Sequence, residues 1–224
     1  MKRFFRCHAT LWMLIGFCLL LGLFLSLRTG IFFTGRNLIN ILEANSFKLL
    51  LAIGMTFVIA SGGIDLSVGS ILSLSAIFTA LCMKQNIPVW LAILVGLLSG
   101  ILMGLINGAL IHFTGINAFI ITLGTSFLYR GLALIVTRGT PVSKLPAAYR
   151  AFGGGDIFQV ESGVYMALLV LLLSIPLLYK MRWGHYITTL GGNPVALRRC
   201  GVRTGAWRIS TFAVMGFLAA LAGI

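Results

Sequence analysis

The residues Ser61-Gly62-Gly63-Ile64-Asp65-Leu66-Ser67-Val68-Gly69-Ser70 interrupt a long apolar run and place a carboxylate at the interruption. An aspartate at the middle of a membrane-spanning helix costs about 2.5 to 3.5 kcal/mol on insertion scales, so Asp65 must face water or protein groups. Two adjacent glycines free the backbone to leave helical geometry. The stretch therefore predicts a broken helix at Gly62 to Asp65, with one helix on each side.

The composition of the chain identifies its class. Of its 224 residues, 59% are hydrophobic and 9% are charged, whereas about a quarter of the residues of a soluble domain are charged. The net charge of +13 comes from basic residues that lie between the apolar runs, without the aromatic interleaving of a nucleic-acid surface. We therefore predict an all-α polytopic transmembrane bundle whose partners include the lipid bilayer but no nucleic acid.

The apolar segments on both sides of the break predict six spans and the start of a seventh. We assign them all to one transmembrane domain over residues 1–224. They cover residues 11–27, 47–60, 68–83, 89–111, 117–136, 164–179 and 209–224. The basic N-terminus and the acid-free segment 180–208 should both be cytoplasmic, and six crossings between them satisfy that requirement. The same count places the polar loop 137–163 outside.

Residues 31–46 mix polar and apolar side chains between the first two runs. The spacing of Leu38, Ile41 and Leu42 fits an interfacial amphipathic helix capped by Asn37. An irregular loop is the alternative interpretation.

The run 89–111 carries a glycine at every fourth position, at Gly96, Gly100, Gly104 and Gly108. Small residues at that spacing let helix backbones approach closely in lipid, so these four predict a helix-packing seam. Asn107 lies beside the seam and either hydrogen-bonds across it or lines a pathway. Arg130, near the end of its span, either snorkels to the interface or lines a pathway.

Residues that catalyse reactions or bind metals are sparse and scattered. The histidines form no H-E-x-x-H motif, the cysteines no C-x-x-C motif, and the acids are far apart in sequence. We predict no catalytic residue and no metal site. Two interpretations of Asp65 remain open. It either caps the following helix by accepting a hydrogen bond from the amide of Ser67 or Val68, or it marks a transport path, as interrupted helices do in many transporters.

The segment from Gly191 to Val202 predicts a short cytoplasmic helix. Asn193 suits the N-cap, Pro194 the first helical position and Gly201 the position just past the end. Arg198 and Arg199 in the last turn complement the helix dipole. Such a helix either docks a partner or lies on anionic lipid headgroups.

Several of these strings, in the order in which they occur, resemble the permease subunit of bacterial ABC importers for monosaccharides, the group for ribose, xylose, galactose, galactofuranose and autoinducer-2. The resemblance rests on the residues 52–59 (AIGMTFVI), 61–69 (SGGIDLSVG), 118–124 (AFIITLG), 130–131 (RG) and 191–202 (GGNPVALRRCGV). Members of this family continue past the position of Ile224, so we expect the chain to be C-terminally truncated. Arg198-Arg199-Cys200 also replaces the small residues more usual there.

The resemblance implies a non-enzymatic pathway protein of the bacterial inner membrane. Its expected partners are a second permease subunit, a periplasmic sugar-binding protein and a cytoplasmic ATPase, which would hold ATP and Mg²⁺ while this chain holds no cofactor. The helix beginning at Asn193 would be the coupling helix gripped by the ATPase. That role would involve Asn193, Pro194, Ala196, Arg198, Arg199, Gly201 and Val202. Gly62, Gly63, Asp65, Ser67, Asn107 and Arg130 would shape the pathway. An ion-coupled transporter or channel using Asp65 and Arg130 is the alternative function.

Overall fold

The computed structural model describes residues 9–143, 145–149 and 155–224. The backbone contacts divide the chain into two compact units, residues 1–45 and residues 46–224. Helices make up most of the described chain, and the strands, β1 (Asp156–Ile157) and β2 (Val160–Glu161), form a short antiparallel hairpin. The fold class is therefore all-α, as predicted.

The first unit contains the helix α1 (Ala9–Thr29) and the first turns of α2 (Gly35–Ala60). A turn through Gly30, whose φ is +63°, connects the two helices. The Asn37 amide lies 3.4 Å from the Thr34 hydroxyl, and the Asn37 side chain donates to the Phe32 carbonyl at 2.8 Å.

The structure contradicts the irregular-loop interpretation of residues 31–46 and confirms the helix interpretation only in part, because one continuous helix begins at Gly35 and runs to Ala60. Asn37 lies inside this helix rather than at its N-cap. Polar residues in the first turns suggested that the helix begins near Phe47. These polar residues lie in the N-terminal half of α2, and the apolar residues from Phe47 onward form its C-terminal half.

The second unit contains the rest of α2 and seven further helices among the described residues. They are α3 (Val68–Lys84), α4 (Val89–Thr114), α5 (Ala118–Thr137), α6 (Ser162–Tyr179), α7 (Arg182–Gly192), α8 (Pro194–Arg199) and α9 (Thr204–Gly223). α9 packs most extensively against α4, while α3 packs against α4, α5 and α9. The core of the unit therefore forms around α3, α4 and α9.

Six of the described helices are long and apolar enough to cross a membrane, namely residues 12–29, α2, α4, α5, α6 and α9. The apolar helix α3 is shorter, at 17 residues. Large apolar side chains such as Phe127, Leu172 and Ile135 point outward and are more than 60% exposed, as side chains that face lipid would be. Each of the seven predicted runs overlaps one helix, and the chain is a multi-pass membrane protein.

Candidate functional site

Helix α2 ends in a glycine-dependent turn at the head of the segment 61–67. Gly62 has a φ of +80°. Its amide donates to the Ile59 carbonyl at 2.9 Å, and the Gly63 amide donates to the Val58 carbonyl at 3.0 Å. This is the Schellman arrangement, in which a left-handed residue satisfies the last carbonyl groups of a helix. The glycine pair therefore stops α2 and turns the chain inward.

Asp65 organises the entry into α3. Its Oδ1 accepts a hydrogen bond from the Ser67 amide at 2.8 Å and from the Ser67 hydroxyl at 2.6 Å. Ser67 is the residue immediately before α3. The capping interpretation predicted that Asp65 accepts a hydrogen bond from the amide of Ser67 or Val68. In the structure the donor is the Ser67 amide.

The hydrogen bonds continue from Ser67 into α4 and α5. Asn107 Nδ2 donates to the Ser67 hydroxyl oxygen at 2.7 Å. The Tyr129 hydroxyl lies 3.1 Å from both the Asn107 Oδ1 and the Met103 carbonyl oxygen. Asp65, Ser67, Asn107 and Tyr129 are at most 3% exposed. We call these four residues the Asp65 network, and it links the loop to two spans.

A second link joins the loop to α5 through Thr122. The Leu66 amide donates to the Thr122 hydroxyl oxygen at 3.1 Å, and that hydroxyl lies 3.2 Å from the Ile64 carbonyl oxygen. Thr122 is fully buried. The loop 61–67 is therefore held on both sides of Asp65.

The second carboxylate oxygen of Asp65 differs from the first. Within the described part of the chain, Asp65 Oδ2 is buried and has no hydrogen-bond partner. A buried polar atom without a partner costs on the order of 1 to 3 kcal/mol, and more when it is charged. The free-energy cost of an unpaired buried oxygen therefore falls on Asp65, the acidic residue at the break in the apolar run.

Two small cavities place the loop at the same end of the bundle as α8. A cavity of about 190 Å³ is lined by Gly62 and Gly63 together with residues 115–118 and Arg208. A second cavity of about 230 Å³ is lined by Gly115, Arg208, Pro194 and Arg198. Gly115 and Arg208 line both cavities, so the loop and α8 are neighbours.

Helix α8 has the caps that the sequence predicted. Asn193 Oδ1 accepts a hydrogen bond from the Ala196 amide at 2.9 Å, and Pro194 occupies the first turn. At the other end Gly201 has a φ of +78°, and the Val202 amide donates to the Leu197 carbonyl at 3.3 Å.

The surface of α8 has one apolar anchor and otherwise faces outward. Leu197 is 6% exposed, whereas the exposed residues are Val195, Ala196, Arg198 and Arg199. A short helix that is capped at both ends and anchored at one residue presents a defined, basic surface.

The four seam glycines lie where α4 touches its neighbours. A Cβ atom at Gly104 would overlap the Phe212 carbonyl oxygen of α9, and one at Gly100 would overlap the Ala220 side chain. A Cβ at Gly108 would lie 2.7 Å from the Ile209 Cα, and one at Gly96 would overlap the Thr79 hydroxyl of α3. The seam thus packs α4 against α9 at three positions and against α3 at one.

Arg130 lies away from the Asp65 network. Its side chain is exposed while that of the preceding Tyr129 is buried, and it forms no ion pair with Asp65. The structure brings together Gly62, Gly63, Asp65, Ser67 and Asn107, and leaves Arg130 apart from them.

Sequence reasoning missed Tyr129 and Thr122 as partners of the loop. The signal was the spacing of the residues that α5 buries, which are Ala118, Thr122, Thr125, Tyr129 and Ala133. Intervals of three and four residues mark one face of a helix. The polar members of that face identify the side that meets the loop.

A family model described as the permease component of the branched-chain amino acid transport system matches residues 37–224. The ribose import permease protein of Haemophilus influenzae is 36% identical over 197 residues, which are 86% of this chain and 61% of that protein. The D-allose transport system permease protein of Escherichia coli is 33% identical over 92% of this chain and 64% of its own length.

The autoinducer 2 import system permease protein of Yersinia pestis is 35% identical over 86% of this chain and 55% of its own length. The chain thus spans less than two thirds of the length of these relatives. No solved structure matches it.

Proposed function

The chain belongs to the family of the permease component of the branched-chain amino acid transport system, and from this membership we propose that it is a membrane-spanning subunit of an ATP-driven importer. The solute is a monosaccharide or a similar small polar molecule, moved from the periplasm to the cytoplasm across the bacterial inner membrane. The related permeases named for ribose, allose and autoinducer 2 support this solute class.

The geometry of α8 is the single observation that carries the proposal beyond the family. The helix is capped at Asn193 and Gly201, anchored by Leu197 and exposed along the rest of its surface. A rigid exposed helix between two longer helices can be gripped by a cytoplasmic partner. We assign this partner as an ATPase subunit that holds ATP and Mg²⁺, so that the chain itself is not an enzyme and binds no cofactor.

Other partners complete the importer. A second permease subunit contributes the other half of the pathway, and a periplasmic sugar-binding protein delivers the solute. The basic segment 180–208 and the basic N-terminus lie on the cytoplasmic side by the positive-inside rule. The loop 61–67 then lies toward the cytoplasm as well, because it shares a cavity wall with Arg208.

The alternative of an ion-coupled carrier requires Asp65 and Arg130 to act together. Asp65 is 1% exposed and hydrogen-bonded to Ser67, while Arg130 is exposed on α5 without an ion pair to it. The importer proposal needs no such pair, and the named relatives are import permeases.

Energy dependence tests the proposal. Membrane vesicles containing this protein and its neighbouring gene products should take up at least one member of a panel of ribose, allose and autoinducer 2, and only when ATP is supplied. Uptake that persists without ATP and collapses with the proton or sodium gradient would overturn the proposal.

Replacing Ala196 by Asp tests the docking surface. Ala196 is exposed on α8, so a new negative charge there should abolish co-purification of the ATPase while membrane insertion stays normal. The matched control is Ala206→Asp, at an exposed position outside α8. Unchanged co-purification of the Ala196 variant would defeat the assignment of α8.

A further inference from the structure

The backbone at the end of α7 lies against the backbone at the end of α2, in addition to the contact between the Phe57 and Trp183 side chains of the two helices. A Cβ atom at Gly191 would overlap the Ala60 carbonyl oxygen and lie 2.8 Å from the Gly62 amide nitrogen. A Cβ atom at Gly62 would lie 3.1 Å from the Gly191 Cα. The two glycines therefore allow a contact that no other residue at position 191 permits without displacing one backbone.

One side of this contact is joined directly to α8. Gly191 is next to last in α7, and the Asn193 amide continues the helical pattern by donating to the Thr189 carbonyl at 2.8 Å. Asn193 is also the N-cap of α8. No flexible linker separates Gly191 from the helix that we assign to the ATPase, so a displacement of α8 displaces Gly191.

The other side of the contact is joined to two spans. Three residues after Gly62, Asp65 begins the network that reaches Asn107 on α4 and Tyr129 on α5. Thr122 holds the residues on either side of Asp65 to α5. Gly62 and Gly191 are themselves exposed, but the side chains of the network from Asp65 to Tyr129 are buried, and packed interiors have low compressibility and transmit strain.

We propose that the contact between Gly191 and Gly62 transmits the movement of α8 to the loop 61–67 and from there to α4 and α5. Gly191 is then a positioning residue for energy coupling. This inference rests on the proposed function, because it takes α8 as the place where the ATPase acts.

Two neighbouring glycines provide a matched test. Gly191→Ala forces a Cβ against the backbone of Ala60, whereas at Gly192 a Cβ would meet nothing within 4 Å. The two substitutions change the same helix by the same atom, one residue apart. The full-length protein, with its ATPase and binding protein, is reconstituted in proteoliposomes, and the solute moved per ATP hydrolysed is measured with the same panel of solutes.

We expect Gly191→Ala to retain the ATPase subunit and its basal hydrolysis while the solute moved per ATP falls roughly fivefold or more, the usual scale of coupling between sites. Gly192→Ala should match the wild type. Equal coupling in the wild type and both variants would overturn the inference.

A second pair tests the far side of the contact if the Gly191 variant fails to assemble. Thr122→Val removes the hydroxyl that holds the loop to α5 and conserves the shape of the side chain. Thr125→Val removes a buried hydroxyl that lies 3.3 Å from the Thr122 carbonyl of its own helix. Thr122→Val should lower the solute moved per ATP and Thr125→Val should not. Normal coupling in Thr122→Val would overturn the inference.

Different results would overturn the proposed function and the role of Gly191. Wild-type protein that moves no solute of the panel in response to ATP overturns the proposed function and the inference together. Wild-type protein that couples ATP to uptake, with Gly191→Ala coupling equally well, overturns the inference alone.

Discussion

The loop 61–67 and the helix α8 share one local device and use it in opposite surroundings. Both follow the same Schellman pattern, with Gly62 and Gly201 at positive φ, and the next amide donating to a carbonyl five residues earlier. Beyond Gly62 the polar side chains bond to other helices, whereas the side chains of α8 mostly face outward. The same turn geometry therefore precedes a loop that is hydrogen-bonded to other helices inside the bundle, and it ends a helix whose side chains are mostly exposed.

Asn107→Ala should lower the stability of the protein more than any other substitution proposed for the loop 61–67 and its partners. It removes the donor to the Ser67 hydroxyl and the acceptor near the Tyr129 hydroxyl, and both groups stay buried. The loss of two buried hydrogen bonds, together with the cavity left by the shortened side chain, should cost about 3 kcal/mol of unfolding free energy. The measurement is the midpoint of thermal unfolding in detergent micelles. The control is Ser99→Ala, whose hydroxyl bonds within its own helix, and an equal midpoint for the two variants would contradict the prediction.

Tyr129→Phe should have a smaller effect in the same region. It removes one hydroxyl and keeps the ring in place, so the expected loss is about 1 kcal/mol of unfolding free energy. Tyr179→Phe, at a residue 70% exposed, is the matched control and should leave the unfolding midpoint unchanged. A Tyr129 variant as stable as that control would show that the outer end of the Asp65 network contributes nothing to stability.

Asn193→Ala should have the smallest effect on stability and should act on the second region alone. Loss of the cap costs about 1 kcal/mol in the helix it begins, but α8 is short and exposed, so bundle unfolding should change by less than about 0.5 kcal/mol. The affinity of the ATPase should fall roughly fivefold, which corresponds to that local cost.

Asn193→Ser, which can restore the cap, provides the control for that change and should recover the affinity. Both affinities are measured by titrating the ATPase onto the reconstituted permease. If the bundle loses as much stability in Asn193→Ala as in Asn107→Ala, the contrast between the two regions is wrong.

The sequence was sufficient where the determining interactions are local. The glycine that ends α2, the caps of α8 and the spacing of the seam glycines follow from rules that span a few residues, and each is found in the structure. The resemblance to monosaccharide import permeases is likewise confirmed by the relatives of the chain. The orientation of the N-terminus and the roles of the site residues stay predictions.

The sequence was insufficient where distant residues meet. Nothing near Asp65 indicates that Ser67 receives a hydrogen bond from Asn107, or that Gly191 lies against Gly62, since these pairs are set by how the helices pack. The start of α2 was also misplaced, because local polarity cannot show whether a helix continues through Glu43 and Asn45. The contact of Tyr129 with Asn107 could not be predicted because it joins two helices. The spacing along α5 does, however, place Tyr129 on the buried face of that helix.

The seam between α4 and α9 has a consequence for the order in which the chain is built. The glycine face of α4 closes against Phe212 and Ala220, yet the ribosome adds residues at about 5 to 20 per second. α4 is therefore synthesised seconds before α9 exists. During that interval the positions Gly100, Gly104 and Gly108 lack their α9 partners. Slowing translation between α4 and α9 should accordingly lengthen the period in which membrane proteases can reach the unfinished bundle.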